Sequence, residues 1–196
     1  MSDIAPSRAV PWILTIAGGL GLLAATVLTV EKVRVLEDPT YVPSCSINPI
    51  LSCGSVMTSD QAEALGIPNS LLGIAAFAVV LTTGVVLLNG GTLRRWYWRG
   101  LQVGVTAGAV FVGWLTFQSL YRIGALCPYC LVVWAVMPPL WVYVTAHNLR
   151  EGHLGARAQR AGNVLVSNHS VVLTLWYLLV LTLILKRFWD YWTSLI

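Results

Sequence analysis

Five long apolar segments, separated by short polar stretches, make up most of the 196-residue chain. They run from about Pro11 to Val30, Ser70 to Leu88, Leu101 to Tyr121, Cys127 to Ala146 and Val164 to Leu185. A helix needs about 20 apolar residues to cross a hydrocarbon core of about 30 Å. The pattern therefore predicts an all-α membrane protein, with five transmembrane helices in a single integral membrane domain over residues 1–196.

The sizeable stretch outside these segments is the loop of residues 31–69, which is too short to fold as a separate domain. Within it, Thr58 and Gln61 fit the pattern of a capping box at the start of a helix. We therefore expect a short helix from Ser59 to Leu65, lying at the membrane interface before the second apolar segment begins.

Gly104 and Gly108, in the third apolar segment, form a G-x-x-x-G pattern. Small residues at this spacing let two membrane helices approach closely, because no side chain stands between their backbones. We therefore expect the third segment to pack tightly against a neighbouring helix at these two glycines.

Composition supports a membrane location and excludes other classes. Hydrophobic residues make up 57% of the chain and charged residues only 10%, whereas a soluble domain has about a quarter of its residues charged. The net charge of +4 is spread in small clusters between apolar segments. A nucleic-acid-binding protein would carry a basic stripe, and the sequence has none.

The distribution of basic residues predicts how the helices are oriented. Cytoplasmic loops of membrane proteins carry an excess of Lys and Arg. Seven of the twelve basic residues fall on the side of the amino terminus: Arg8, Arg94, Arg95, Arg99, Arg150, Arg157 and Arg160. We therefore place the amino terminus in the cytoplasm, and the carboxyl terminus and the loop of residues 31–69 outside.

The four cysteines form two pairs, Cys45 with Cys53 and Cys127 with Cys130, and both pairs fall on the outer face in this orientation. That face is the oxidising one, where thiol pairs carry disulfide chemistry. Pro128 suits the first position of the fourth helix. The amino terminus of that helix would then lie beside both sulfurs of the C-x-x-C pair and stabilise a reactive thiolate.

Three interpretations of the cysteines remain open from the residues alone. They could form structural disulfides in a membrane scaffold or a small transporter subunit, although the apolar segments carry almost none of the polar groups that a transporter needs. They could bind zinc, but seven residues between Cys45 and Cys53 do not match the usual short spacing. The third interpretation is thiol–disulfide exchange. We expect no metal site at His147, His153 or His169, which lie toward the other end of the bundle.

Thiol–disulfide exchange at the membrane edge suggests an electron acceptor that is dissolved in lipid, and a quinone is the natural one. Four residues near the same face could donate a hydrogen bond to a quinone oxygen: Asn69, Ser70, Ser59 and Tyr129. Asn69 would also be expected to cap the second helix, whether or not a quinone binds.

Three motifs together resemble one known family: CSINPILSCGSVMTS, IPNSLLG and CPYC. Their order, spacing and membrane topology are similar to those of the vitamin K epoxide reductase family, in particular its bacterial members. The resemblance extends over most of the chain, from about Pro11 to Val144.

The resemblance implies a four-helix bundle around a quinone, menaquinone or ubiquinone, with a fifth helix at the periphery. It implies a thiol:quinone oxidoreductase of the bacterial cytoplasmic membrane, which reoxidises an extracytoplasmic thioredoxin-like partner of the DsbA type and so supports disulfide bond formation. Cys127 and Cys130 would be the pair next to the quinone, with Cys130 nearest the ring. Cys45 and Cys53 would be the shuttle pair that accepts electrons from the partner.

By the same resemblance, Ser59 and Asn69 occupy positions beside the quinone, with Asn69 donating to a carbonyl. Trp134, also counted among the quinone contacts, stands where vertebrate members carry a tyrosine near the quinone oxygen. This departure favours a plain quinone acceptor over an epoxide.

The resemblance leaves two alternatives to be weighed. Some bacterial members continue into a fused thioredoxin domain, but this sequence ends at Ile196, so we expect the partner to be a separate protein. A DsbB-like quinone oxidoreductase would carry its C-x-x-C in the first outer loop, whereas here the widely spaced pair comes first. Which of Cys45 and Cys53 meets the partner first stays open.

Overall fold

The computed structural model describes residues 6–38, 40–64, 66–152 and 159–193. Leu65, His153 and Arg157 lie outside the described residues. The helices are α1 (Pro6–Glu37), α2 (Cys53–Met57), α3 (Asn69–Leu88), α4 (Arg95–Gln118), α5 (Pro128–Arg150), α6 (Gln159–Ser167), α7 (His169–Arg187) and α8 (Trp189–Thr193). A 3₁₀ turn follows α2 at Asp60–Glu63, and a π-helical turn at Ser119–Ile123 continues α4.

The prediction of an all-α membrane protein with five spans is confirmed. Five helical stretches are long and apolar enough to cross a membrane: Ala9–Glu37, Asn69–Leu88, Arg95–Ile123, Pro128–Arg150 and His169–Arg187. The fifth begins at His169 and not near Val164, because α6 ends just before it. Asn168, between the two helices, leaves the helical conformation, with φ of −115° and ψ of 13°, and its side-chain amide donates to the carbonyl of Val164.

The first four spans form the bundle, and α7 lies at its periphery. Helix α1 packs against α3 and α5, and α4 packs against α5. No residue in the most apolar part of α7 is fully buried in the protein, and its exposed surface is apolar, as expected for a helix in lipid. One side of α7 contacts the bundle, where Val180, Leu183 and Ile184 pack against a cluster built around Leu120 and Trp134. Two hydrogen bonds add to this contact: Tyr177 donates to the carbonyl of Ala135, and Arg187 donates to the carbonyl of Leu120.

The prediction of close packing at Gly104 and Gly108 is wrong. A Cβ added at Gly104 would meet nothing within 4 Å, and one at Gly108 would meet only the flexible end of Met137, at 3.1 Å. Both glycines line a cavity inside the bundle. The spacing alone does not tell which face of α4 meets a neighbour, and here the glycine face meets open space.

The close helix approach occurs instead between α1 and α3. A Cβ at Gly18 would lie 2.6 Å from the backbone nitrogen of Leu81, and a Cβ at Gly84 would lie 2.5 Å from that of Thr15. Only residues without a side chain fit at these distances, so α1 and α3 form the tightest wall of the bundle.

One end of the bundle collects the elements that carry cysteines. The carboxyl ends of α1 and α7, the π-helical turn after α4, and the amino ends of α3 and α5 all meet there. Direct contacts establish this: Lys32 bonds to Met57, Asn69 to Gln61, and Arg187 to Leu120. The five spans therefore alternate in direction, and the described parts of the loop between α1 and α3, residues 40–64 and 66–68, fold over this end.

Candidate redox site

The structure brings all four cysteines into one buried cluster. Cys45 and Cys53 form a disulfide, with a Cα–Cα distance of 5.6 Å, while Cys127 and Cys130 are free thiols. The sulfur of Cys53 lies 3.3 Å from that of Cys127, although 74 residues separate them along the chain. Cys45, Cys53 and Cys127 are only 5%, 0% and 1% exposed. The Cys45–Cys53 pair, called the outer pair below, is thus oxidised, and the Cys127/Cys130 pair, called the inner pair, is reduced. The two pairs touch through Cys53 and Cys127.

A short parallel bridge between two loops sets this contact. The backbone N–H of Leu126 donates to the carbonyl of Ile50 at 2.7 Å, and that of Ser52 donates to the carbonyl of Leu126 at 2.9 Å. This pairing runs Leu51 alongside Leu126. Because each of the two bridged loop segments leads directly into a cysteine, Cys53 and Cys127 lie side by side.

The turn between α4 and α5 delivers Cys127 to that position. Gly124 ends the π-helical turn in the left-handed conformation, with φ of 72°, which a glycine adopts without strain. The chain then runs extended through Cys127, and α5 begins at Pro128. Pro128 therefore occupies the first helical position, as predicted, where its missing N–H leaves no hydrogen bond unmade.

Cys127 lies in surroundings that favour its thiolate. The thiol of Cys130, which donates to the Cys127 sulfur, lowers the pKa of Cys127 below its ordinary value. Burial acts in the opposite direction, and the backbone N–H groups of Cys130 and Tyr129 lower the pKa further. These are N–H groups of the first turn of α5, so the helix terminus stabilises the thiolate as the sequence indicates.

Removing the donor at Cys130 is expected to raise the pKa of Cys127. The measurement is made in a Cys45→Ser/Cys53→Ser background, where no exchange with the outer disulfide can occur, and the tyrosinate absorbance is subtracted with a variant that also lacks Cys127 and Cys130. The remaining ultraviolet absorbance then reports the thiolates of Cys127 and Cys130, and the first ionisation should lie below the ordinary value for a cysteine. With Cys130→Ala added, the single remaining ionisation should lie at higher pH, with the helix N–H groups limiting the increase. An unchanged midpoint would show that the Cys130 thiol does not support the Cys127 thiolate.

An apolar cavity of about 770 Å³ lies between α1, α3, α4 and α5, and one end of it reaches the cysteines. Cys130 lines this cavity, whereas Cys127 faces the disulfide. The two thiols therefore face different neighbours. The polar residues along the cavity wall near the cysteines are Lys32, Gln61, Asn69, Ser70, Gln118, Ser119 and Tyr129.

One side of the cavity is not closed by helix packing. Helices α3 and α4, both described along their whole length, line opposite walls but do not pack against each other as the other neighbouring pairs do. On the α4 side, Gly100 and Gly104 leave the wall without side chains.

The residues proposed to contact an acceptor are distributed unevenly. Asn69, Ser70 and Trp134 line the cavity, and Trp134 is 6% exposed. Ser59 is not among the residues along its wall, and its hydroxyl donates to the carbonyl of Val56 at 2.7 Å. Tyr129 also lines the cavity, so the structure places four of the five candidate contacts there. The contact of Ser59 stays a prediction that the geometry does not favour.

Asn69 ties the loop to the bundle. Its side-chain nitrogen donates to the carbonyl of Gln61 at 2.6 Å, and its oxygen accepts from the backbone of Ala64 at 3.3 Å. It is the first residue of α3 rather than its cap, which is Pro68. Asn69 also lines the cavity.

The predicted capping box at Thr58 and Gln61 is wrong. Thr58 ends α2, and its hydroxyl donates back to the carbonyl of Gly54 at 2.9 Å. Ser59 precedes the next turn without a side-chain capping bond. The short helix predicted there exists only as the 3₁₀ turn of residues 60–63, because Thr58 is used by the preceding helix.

Sequence analysis missed two buried charged residues, Glu31 and Lys32, which are 4% and 9% exposed. Lys32 lines the cavity, donates to the carbonyl of Met57 at 3.2 Å and pairs with Glu63 at 2.6 Å. Glu31 accepts from the hydroxyl of Ser44. The sequence offers one indication of their burial: both charged residues directly follow the first apolar segment, and α1 continues past them to Glu37. They anchor the loop on both sides of its disulfide.

A sequence model of the vitamin K epoxide reductase family matches residues 12–145. The matched range contains all four cysteines, the loop that carries the disulfide, and nearly the whole of the first four spans. Helices α6 and α7 lie beyond it.

Proposed function

Since this chain belongs to the vitamin K epoxide reductase family, whose members are membrane thiol–disulfide oxidoreductases, we propose that it is a thiol:quinone oxidoreductase. In this proposal it takes electrons from a thioredoxin-fold partner of the DsbA type, passes them through two cysteine pairs and delivers them to a menaquinone or ubiquinone. The partner, reoxidised, then introduces disulfide bonds into other proteins.

The contact between the two pairs carries the proposal. Cys53 and Cys127 are 3.3 Å apart, close enough for exchange after a small movement. Cys130, the other member of the inner pair, faces the cavity. Electrons arriving at Cys53 can therefore reach Cys127, and the resulting dithiol presents Cys130 to an acceptor in the cavity.

The steps balance as two-electron transfers. A thiolate of the partner attacks the sulfur of Cys45, the disulfide breaks, and Cys53 leaves as a thiolate. The second thiol of the partner then releases Cys45, and the partner becomes a disulfide. The Cys53 thiolate attacks Cys127 in an oxidised inner pair, and Cys45 resolves that bond, which leaves Cys127 and Cys130 as thiols. Their two electrons and two protons convert a quinone to a hydroquinone.

The cavity suits a quinone as substrate. Its volume of about 770 Å³ falls within the range of small-molecule sites, about 300–1,000 Å³. A quinone ring is apolar on its faces and has two carbonyl oxygens that need donors. Asn69, Ser70 and Tyr129, whose side chains carry N–H or O–H donors, line the cavity together with Cys130. The side between α3 and α4 gives a route for an isoprenoid tail to lipid.

We also propose that the cysteine end of the bundle faces the extracytoplasmic side of a bacterial cytoplasmic membrane, with the amino terminus in the cytoplasm. Excess Arg at the opposite end supports this orientation. The described arginines at that end, on the loops and helix ends away from the cysteines, are Arg94, Arg95, Arg99, Arg150 and Arg160. Chemistry on the outer side also fits the redox compartment in which disulfides form.

Quinone-dependent oxidation of the inner thiols tests this proposal. The purified protein is reduced with dithiothreitol, freed of reductant and incubated with or without a short-chain ubiquinone, and its remaining thiols are then alkylated and counted by mass. We expect all four thiols without quinone, and loss of all of them with quinone. We also expect continuous quinone reduction when dithiothreitol is supplied. A structural disulfide protein would keep its Cys127 and Cys130 thiols with or without quinone, and that outcome would refute the proposed function.

A further inference from the structure

Electrons must reach the Cys45–Cys53 disulfide through Cys45. In the structure Cys53 is the member that touches Cys127, and it is completely buried. A partner that attacked Cys53 would have to displace Cys127 from the position that the electron transfer requires. Cys45 is the sulfur on the side of the disulfide away from Cys127. The surface around Cys45 is therefore where a partner has to dock.

Cys45 occupies the tip of a tight turn. The backbone N–H of Ser46 donates to the carbonyl of Pro43 at 2.9 Å, which closes a four-residue β-turn with Ser44 and Cys45 at its centre. Val42 and Ile47 flank this turn, one directly before Pro43 and the other directly after Ser46.

Both flanking residues are apolar and strongly exposed. Val42 is 71% exposed and Ile47 is 69% exposed, although they belong to a loop outside the membrane-spanning helices. By contrast, Cys45 between them is 5% exposed and points inward to Cys53. The turn thus presents two aliphatic side chains outward and keeps its sulfur covered.

We propose that Val42 and Ile47 are the docking residues for the thioredoxin-fold dithiol partner, and that the partner holds the turn by these two side chains while its thiolate attacks Cys45. This inference rests on the proposed function. The chemistry that would recognise the turn is an apolar surface surrounding a nucleophilic thiol. Burying two aliphatic side chains at the centre of a contact favours binding, because it removes them from water.

The turn is held by polar contacts and by burial of its sulfur. The hydroxyl of Ser44 donates to Glu31 at 2.7 Å, and the hydroxyl of Tyr41 donates to the same carboxylate at 3.0 Å. On its other side, the hydroxyl of Ser46 accepts from the backbone of Gly54 at 3.3 Å. Cys45 itself packs in a buried apolar cluster with Cys53 and Met57. Attack on Cys45 therefore requires the turn to move, and in this proposal the burial of Val42 and Ile47 against the partner offsets the contacts that are lost.

Attack at the uncovered sulfur follows the balance already given. The bond that forms joins the partner's sulfur to Cys45, the bond that breaks is Cys45–Cys53, and Cys53 leaves as a thiolate. The second partner thiol then attacks the mixed disulfide and releases Cys45. The partner loses two electrons and the protein gains them, so no further oxidant is needed at this step.

The test compares a protein substrate with a small one. A Val42→Ser/Ile47→Ser double variant is assayed for quinone-dependent oxidation of a reduced DsbA-type protein and, separately, of dithiothreitol. We expect the KM for the DsbA-type protein to rise about tenfold or more, a loss of about 1.4 kcal/mol or more. The kcat at saturating partner and the oxidation of dithiothreitol should stay unchanged, because dithiothreitol needs no docking surface.

Val164→Ser provides a matched control. Val164 is 62% exposed and lies on α6, which packs on the carboxyl end of α5, opposite to the cysteines. Its substitution should change neither substrate's kinetics. If the double variant keeps the wild-type KM for the DsbA-type protein, the docking proposal is wrong.

Two other outcomes would overturn the proposed function or the docking proposal. If wild-type protein oxidises neither substrate with quinone, the proposed function fails, and the docking proposal fails with it. Suppose that wild-type protein is active, that the double variant keeps the wild-type KM, and that brominated lipids quench the tryptophan fluorescence that Val42→Trp adds to that of the wild type. The two side chains then contact the membrane instead. That result would refute docking and leave the proposed function standing.

Discussion

Replacing Cys130 with Ser is expected to abolish quinone reduction and to trap a disulfide between Cys53 and Cys127. Cys130 is the thiol that faces the cavity, so without it an acceptor meets no sulfur. The Cys127 thiolate remains 3.3 Å from Cys53 and attacks it, with Cys45 released as a thiolate. No neighbouring thiol on the inner side then resolves the new bond. The rate with quinone should fall by roughly a thousandfold or more, as when a covalent catalytic group is removed.

Peptide mapping without reduction provides the measurement. A digest of Cys130→Ser should contain a peptide pair joined through Cys53 and Cys127, and the Cys127→Ser/Cys130→Ser double variant should lack it. Detergent-solubilised Cys130→Ser should keep its helical circular dichroism, because the serine replaces a half-buried thiol of similar size. Full quinone reduction by this variant would contradict the assignment of Cys130 as the acceptor-side thiol.

The two shuttle cysteines are expected to behave differently when each is replaced by Ala. Both variants should lose oxidation of the DsbA-type partner by roughly a hundredfold or more, since neither can form the outer disulfide. In Cys53→Ala, the remaining Cys45 forms a mixed disulfide with an oxidised partner, and no Cys53 is present to release it. In Cys45→Ala, once quinone has oxidised the Cys127/Cys130 pair, the Cys53 thiolate attacks the neighbouring Cys127 and releases Cys130 as a thiolate.

Non-reducing gels with purified partner distinguish the two variants. A covalent complex with the partner should accumulate in Cys53→Ala, and little should form in Cys45→Ala. Adding Cys127→Ser to Cys45→Ala serves as the control, because it removes the competing internal reaction. If the complex forms mainly in Cys45→Ala, the partner meets Cys53 first and the electron route is the reverse of the one proposed. Normal partner oxidation in both single variants would exclude a shuttle role for either cysteine.

The membrane-spanning helices could be predicted from the sequence because they depend on local properties. An apolar run of sufficient length must become a helix in lipid, since its backbone polar groups have no other partners there. Pro128 also marked the start of α5 correctly, because the preference of proline for the first helical position is a local property. The fifth span was predicted to begin too early, because hydropathy does not register the break that Asn168 introduces.

Contacts between distant parts of the chain could not be predicted in this way. The pairing of Cys53 with Cys127 depends on a backbone bridge between Leu51 and Leu126, and no side-chain pattern encodes such a bridge. Gly104 was assigned to a helix contact, but glycine spacing is the same whether the face meets a helix or open space. The two cysteine pairs were recognised from the sequence, whereas the roles proposed for each pair and for Cys130 came from resemblance to a family.

The burial of Glu31 and Lys32 was missed for a related reason. Hydropathy ends the first apolar segment at the first charged residue, yet α1 continues to Glu37. The loop folds back over this extension, so two charges that would be solvated on a free helix end become internal anchors. Only the position of the returning loop reveals this, and the loop has no apolar period of its own.

The open side between α3 and α4 has a consequence for kinetics. An acceptor that enters there arrives by diffusion in the plane of the bilayer, so the quantity that governs its supply is the number of quinone molecules per lipid. Diluting the same proteoliposomes with buffer would leave this surface density unchanged, whereas adding empty lipid to them by fusion would lower it. Turnover of the protein would thus report the composition of the membrane around it and not the total amount of quinone in the sample.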